Sequence, residues 1–371
     1  MRPARILRTA SDACLRYRGG RVPLQPFSQS FCGNIFRHFE LPCTISRCHA
    51  DRGCRIPSSR PRVLSVNATV RITVLVAVLL CFVAYGGARA SARPGGDARG
   101  ELMFGGVPRT YQVHVPAGLD PPAGLVINLH GAGATGSGQA ALTNYDAVAD
   151  QHGFVVAYPD GIDFSWADGR GASIPDRQGV DDVGFLVALV DRLSRDYGIA
   201  PGRVFATGMS AGAFMATRLA CERADIVSAI VPVAGTLGTA FPCAPSRPVS
   251  VLQVHGTADP VVPFGGGAML GRGGYSDIVA ASAMAQRWRE LDGCPGPVED
   301  VLADAGDGTA VHRFTAAGCA DGTDVVLVQV DGGGHTWPAG RFSLPAASVG
   351  PTTQAFDASQ ASGQFFATHG R

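Results

Sequence analysis

Residues 203–212 read RVFATGMSAG, and 211–223 continue as AGAFMATRLACER. The first half is a short apolar run of strand type, and the second is rich in helix formers. Gly208-Met209-Ser210-Ala211-Gly212 lies between them. A strand that turns directly into a helix needs small residues around the turn. The backbone can then bend sharply and lift the Ser210 hydroxyl clear of the sheet. The N-terminus of the helix that follows aims its amides and its positive dipole end at any oxyanion formed beside the serine. Ser210 is therefore the candidate nucleophile, with the backbone of Ala211 a candidate oxyanion donor, and the setting predicts an α/β chain.

The same pattern recurs on both sides. Residues 124–129 (GLVINL), 154–158 (FVVAY), 228–233 (SAIVPV), 249–254 (VSVLQV) and 324–330 (DVVLVQV) are short and nearly continuously apolar. Strands buried on both faces have that character. The alternating run 110–115 (TYQVHV) suits an antiparallel edge strand. Residues 181–197 predict a helix. They open on Asp181 and Asp182, place Val183, Leu186, Val187, Val190 and Leu193 on one face, and stop at Gly198. Helices are also expected over 211–223, 276–292 and about 352–367, with a flexible loop at 265–274 and a flexible lead-in at 91–100. Alternation of strand and helix predicts an α/β fold, with a mainly parallel central sheet and helices on both faces. A single catalytic domain over 91–371 is the economical reading.

Of 371 residues, 46% are hydrophobic and 16% charged, enough for a large core and too little charge for a disordered chain. All 31 basic residues are Arg, and they are unevenly placed. Residues 1–90 hold 14 Arg against Asp12, Glu40 and Asp51, whereas 91–371 hold 17 Arg against 27 acids, a net of −10. An acidic body lacks the positive footprint that phosphate contact requires, so no nucleic-acid partner is expected.

Residues 72–85 (ITVLVAVLLCFVAY) form an uncharged apolar run after Arg71, followed by Ala88-Arg89-Ala90. This order reads as a signal peptide over 66–90, cleaved before Ser91. The run is shorter than the ~20 residues of a spanning helix, so a secreted protein with no stable membrane association after cleavage is expected. Residues 1–65 are Arg-rich and carry Cys14, Cys32, Cys43, Cys48 and Cys54. They read as a non-native N-terminal extension or a disordered segment upstream of a true start at Val63, Val66 or Val70. A zinc module built on Cys32, His38, Cys43, Cys48, His49 and Cys54 lacks the paired CxxC and HxxxH spacing. Export implies an oxidising compartment. The four cysteines of 91–371 allow three pairings, of which the sequence neighbours Cys221–Cys243 and Cys294–Cys319 are favoured.

A serine hydroxyl needs a base. His335 is the best candidate, in a DGGGHTWP stretch just after the strand at 324–330, where three glycines let the loop turn back over the site. The orienting acid is Asp259, in HGTADPVVP directly after 249–254. The segment Leu129-His130-Gly131-Ala132-Gly133 follows another strand, and a backbone amide of Gly131 or Ala132 would complete an oxyanion hole with Ala211. His130 and His255, which end strands, are given bracing roles. All these elements fall at the C-terminal ends of predicted strands, where open α/β sheets place their sites. Trp337 and Trp166 are candidate substrate-stacking residues. No metal constellation or phosphate-binding loop is read in 91–371, so neither metal nor cofactor is expected.

The set LHGAGATG, YPDG, GMSAG, HGTADPVVPF, Gly293-Cys294 and GGGHTWPAG resembles the secreted PHB-depolymerase-like esterases. That family includes polyhydroxybutyrate depolymerases, feruloyl esterases and acetylxylan esterases, and the likeness runs over roughly residues 101–340. The resemblance implies an α/β-hydrolase fold, whose chain order of nucleophile, acid and base is met by Ser210, Asp259 and His335. It also implies hydrolysis of carboxylic esters, either of a small molecule or of a polysaccharide side chain, by a protein expected to be a monomer. Polymer-degrading members carry further domains, whereas only 30 or so residues follow the His335 motif here, so soluble or side-chain esters are expected. The competing readings are an acyltransferase on the same triad and a non-catalytic binding protein on a hydrolase scaffold.

Overall fold

The computed structural model describes residues 95–371 except Asp120 and Ala305. The N-terminal extension, its zinc-module reading, the signal segment and the cleavage point before Ser91 lie outside these residues. Strands β1 (Gly96–Phe104), β2 (Val107–Val115), β3 (Gly124–Leu129), β4 (Phe154–Pro159), β5 (Val204–Met209), β6 (Val227–Val233), β7 (Ser250–Gly256), β10 (Val298–Asp304), β11 (Ala310–Ala316) and β12 (Val325–Asp331) form one sheet. Their spatial order is β1-β2-β4-β3-β5-β6-β7-β12-β11-β10. The centre, from β4 through β12, is parallel, and β1, β2, β11 and β10 close the two flanks antiparallel. A separate hairpin pairs β8 (Gly267–Gly271) with β9 (Gly274–Ile278).

Burial explains the apolar runs. Every residue of β3, β4, β6 and β7 is buried, because both faces of the sheet are covered. One face carries α4 (Asp182–Tyr197), α5 (Ala211–Glu222) and α6 (Ala281–Leu291), through Phe185, Leu186, Leu189, Met215, Leu219, Met284 and Trp288. The other carries α2 (Tyr145–His152) and α8 (Ala358–Thr368), through Tyr145, Val148 and Phe366. Helix α1 (Gly136–Thr143) lies between β3 and α2 in the chain; α3 (Ile174–Gln178) and α7 (Ala346–Val349) are single short turns. Helix α4 begins where its sequence signals place it. Asp181 is the N-cap and accepts from the Gly184 amide at 2.8 Å, and Gly198 ends the helix at φ 73°. Asp182, one residue in, is wholly buried and paired with Arg109 at 2.6 Å.

Four expectations need correction. The lead-in at 91–100 contains most of the nine-residue strand β1, joined to β2 by Gly105-Gly106 with both φ values positive. That turn matches the right-handed twist of a two-residue hairpin. The run 110–115 is consequently second from the edge. The loop at 265–274 is the β8–β9 hairpin, and β9 takes residues assigned to the start of the 276–292 helix, which begins at Ala281.

Cys221–Cys243 ties the last turn of α5 to the segment beyond β6, and Cys294–Cys319 ties the end of α6 to the turn before β12. Loops of 22 and 25 residues are each worth roughly 3 kcal/mol when closed without strain. Among the described residues no helix is long and apolar enough to cross a membrane.

Asp292 ends α6 fully buried, accepting from the Val249 amide at 3.3 Å. Burial outweighs that bond and pushes its carboxyl up to about 7. The folded chain therefore keeps this proton to near neutrality, whereas the unfolded chain releases it near the ordinary value of 3.8. Between those limits the native state binds more protons, so stability falls as pH rises, by at most about 1.4 kcal/mol per pH unit. Asp292→Asn removes this loss. Urea unfolding should show the variant gaining on the order of 2 kcal/mol over the parent at pH 8 relative to pH 4.5. An equal difference at both pH values contradicts the assignment.

Candidate active site

Ser210 stands between β5 and α5 at φ 56° and ψ −120°, a conformation that costs a non-glycine residue about 1–3 kcal/mol. The surroundings hold it there. Its amide donates to Val233 O at 3.0 Å, and its carbonyl accepts from the amides of Ala213 and Phe214 at 2.9 and 3.0 Å. The two glycines of the turn have a steric reason. A Cβ at Gly208 would come 2.6 Å from Leu129 O, and one at Gly212 would come 2.1 Å from the same atom. The helix start and the end of β3 pass too closely for any side chain at either position.

Asp259 and His335 come from loops after β7 and β12, strands that pair in parallel, so their C-terminal ends emerge side by side. Asp259 Oδ1 accepts the amides of Val261 and Val262, both at 2.8 Å. Its Oδ2 accepts from His335 Nδ1 at 2.8 Å, with the carboxylate wholly buried. A carboxylate in that position can only accept, so the imidazole carries its proton on Nδ1 and leaves Nε2 able to accept one. The glycines before His335 also answer to close approach. A Cβ at Gly334 would meet Val349 O at 2.0 Å, and one at Gly333 would meet the Val330 side chain at 2.5 Å. Amides of Gly334 and His335 then anchor the loop on Pro351 O and Val349 O.

Ser210 and His335 line one cavity of about 330 Å³, together with Gly131, Ala132, Trp337 and Leu344. Among the described residues no hydrogen bond closes between the Ser210 hydroxyl and the imidazole; such contacts are often long in free enzymes and tighten with substrate. Gly131 and Ala132 both face the cavity. The next two amides are already engaged, Gly133 on Phe164 O at 2.8 Å and Ala134 on Gly131 O at 3.1 Å. Ala211, buried, is the first residue of α5 directly behind Ser210, where helix amides have no partner within the helix.

His130 accepts the Gly161 amide on Nε2 at 2.9 Å and donates from Nδ1 to Gly131 O at 2.8 Å. Burial holds its pKa below the usual histidine value, so it is a neutral brace under the Gly131 loop. Trp166 is a correction to the sequence reading. Its ring is fully buried, 4.9 Å from the His130 ring, and its indole donates to His130 O at 2.9 Å. It supports the loop from below and does not border the cavity. Trp337 does border it, with its indole N–H fixed on Ser359 Oγ at 2.9 Å. His255 donates from Nε2 to Val262 O at 2.9 Å and sits 3.6 Å from Asp259 Oδ2. Burial lowers its pKa too, so a neutral ring backs the acid loop.

The sequence reading missed part of the wall. Leu142, Phe342 and Leu344 line the cavity, and Phe342 and Leu344 remain 56% and 67% exposed. Two large apolar residues left in a Pro- and Ser-containing loop were the available signal. Among the described residues one group has metal-ligand chemistry, Asp97, His114 and Asp146. Its atoms are already paired: His114 bridges Asp97 and Asp150 at 2.6 and 2.9 Å, and Asp146 accepts from Tyr158. None of the three borders the cavity.

The parallel sheet flanked by helices, with a serine elbow and a histidine–aspartate pair at its C-terminal rim, defines an α/β hydrolase. Residues 110–293 match the family described as esterase PHB depolymerase. The chain is 31% identical over 265 residues to a putative esterase, NocK, of Nocardia uniformis subsp. tsuyamanensis, an alignment covering 68% of this chain and 77% of that one. It is 27% identical to feruloyl esterase B of Piromyces equi, covering 64% of this chain and 46% of the relative. It is 29% identical to poly(3-hydroxyalkanoate) depolymerase C of Paucimonas lemoignei, covering 62% and 54%. The chain thus spans about half the length of these last two relatives. It belongs to the PHB-depolymerase esterase family, whose members are carboxylic ester hydrolases.

Proposed function

We propose that this protein is an exported serine esterase working through Ser210, His335 and Asp259. His335 Nε2 takes the Ser210 proton as the hydroxyl attacks the ester carbonyl. The resulting oxyanion is received by amides of Gly131 or Ala132 and of Ala211. The charged imidazole, steadied by Asp259, then protonates the leaving alcohol, and the acyl group remains on Ser210. Water repeats the cycle and releases the acid. The observation that carries this reading is the Asp259–His335 hydrogen bond, with the far carboxylate oxygen pinned by two amides. That bond occupies Nδ1, and His335 and Ser210 line the same cavity.

The cavity volume and its Trp337, Phe342 and Leu344 walls suit an apolar or aromatic acyl group. Feruloyl and acetyl esters of plant polysaccharide, and short hydroxyalkanoate oligomers, are the substrate classes that the relatives' names suggest. Export is supported by the basic–apolar–AxA order over 66–90 and by two disulfides in the domain. The test is a panel of methyl ferulate, acetylated xylan and hydroxybutyrate oligomers, with methanol as competing alcohol. Free acid is expected from at least one member. Turnover of none sinks the reading, and formation of methyl ester to the exclusion of acid redefines the protein as an acyltransferase.

A further inference from the structure

The wall of the catalytic cavity is largely carbon, with Leu142, Trp337, Phe342 and Leu344 in it. Gln139, on α1, is a polar side chain in that wall with no part in the reaction. It borders the same cavity as Ser210 and His335 and is only 1% exposed. Its two ends are not equivalent. Nε2 donates to Asn128 Oδ1 at 2.9 Å. Among the described residues Oε1 accepts nothing, yet it is not closed off from solvent.

A polar network between α1 and β3 fixes which end faces the cavity. Thr143 has a single hydroxyl proton and gives it to Gln139 O at 2.8 Å. Its oxygen is left to accept, and takes Asn128 Nδ2 at 3.2 Å. Asn128 must then turn its own oxygen toward Gln139, which answers with an N–H. Turning both amides over would take the Thr143 proton away from Gln139 O. Asn128 and Thr143 are both buried, where a lost hydrogen bond is costly. Thr143 O accepts in turn from Ser359 Oγ at 2.7 Å, and Ser359 Oγ takes the Trp337 indole N–H. Trp337 and Gln139 are thereby held by one residue. The first offers the cavity its ring and the second an acceptor.

An amide oxygen can only accept, so it asks for a donor on an otherwise apolar group. A carboxylate or an ether oxygen has no proton to offer. A cation would have to leave water for an apolar wall without a countercharge. A hydroxyl meets neither objection. We propose that Gln139 is a specificity-determining residue, which selects esters that carry a hydroxyl within its reach over the same esters without one. The proposal rests on the esterase reading and adds a discriminating contact to it.

Matched substrates test it on both sides of the scissile bond. Methyl 4-hydroxycinnamate against methyl cinnamate varies the acyl group, and 2-hydroxyethyl butyrate against propyl butyrate varies the alcohol. In at least one pair, kcat/KM should favour the hydroxylated member by about tenfold, through KM, the worth of one neutral hydrogen bond. Gln139→Met should abolish that preference. Gln139→Glu should keep it, because the protonated acid donates to Asn128 Oδ1 from one oxygen and presents the other to the cavity. A merely structural role would slow both members of a pair alike and leave the ratio unchanged. No preference in either pair, or one that survives Gln139→Met, overturns the proposal. Calorimetry on Ser210→Ala with the uncleavable amide counterparts of the two pairs reads the same contact without chemistry and without a change at Gln139. Tighter binding of a hydroxylated amide supports the proposal, and equal affinities within both pairs overturn it. That preference in a protein that cleaves no ester would refute the esterase reading and leave the contact standing. Ester cleavage with no preference would do the reverse.

Discussion

Ser210→Ala is expected to lower kcat on a nitrophenyl ester by on the order of 10³–10⁶ while leaving the fold intact. The hydroxyl is the only atom removed, and without it no acyl group can be held on the enzyme. The turnover that survives comes from the amides around the cavity acting on direct attack by water. Stability should hold within about 0.5 kcal/mol. The Ser210 side chain makes no hydrogen bond among the described residues. The strain at φ 56° is paid by the backbone, which is held by Val233 O and by the amides of Ala213 and Phe214. Activity and the urea midpoint should therefore separate cleanly. Turnover within tenfold of the parent would remove Ser210 from the chemistry.

The second large effect belongs to Asp259→Asn, with kcat falling by on the order of 10⁴. The structure says why a change of a single atom is so damaging. Oδ1 is held by two amide donors, Val261 and Val262, so an asparagine must place its oxygen there and turn its NH₂ toward His335. His335 Nδ1 would then face a donor and become the acceptor, which moves the imidazole proton to Nε2, the nitrogen that has to receive the serine proton. The wrong tautomer is enforced by the acid loop, and flipping the amide would oppose two N–H groups at once. The signature is a collapse of kcat with little change in KM. A variant retaining a tenth of parental kcat would show that Asp259 does not orient the base.

The parallel centre of the sheet was legible because each strand there is buried on both faces and the chain writes it as an unbroken apolar run. The three proposed catalytic residues drew notice for a related reason: Ser210, Asp259 and His335 each follow such a run, and glycines around Ser210 and His335 stand where a Cβ would meet backbone or a neighbouring side chain. Strand β1 was not legible, since most of its side chains face solvent and GDARGELMF carries no hydrophobic period. Gly105-Gly106 between two extended stretches was the turn signal that could have found it. The β8–β9 hairpin was hidden by its own glycines, which read as flexibility although Gly273 packs against Ala172 O with no room for a Cβ. Trp166 misled because an indole in a loop near a nucleophile reads equally well as a stacking platform or as a brace. Only its burial against His130 decides between them. The cavity rim at Phe342 and Leu344 depends on tertiary placement that no local spacing encodes.

The central claim is that one serine, raised on a strained turn and served by a pinned histidine, forms a covalent intermediate. Peptide mapping after treatment with diethyl p-nitrophenyl phosphate tests it most directly. The account predicts a single diethylphosphoryl adduct, on the peptide containing Ser210, with complete loss of esterase activity and no adduct in Ser210→Ala. An adduct on another residue accompanying that loss, or an unmodified enzyme that still cleaves esters, would contradict it.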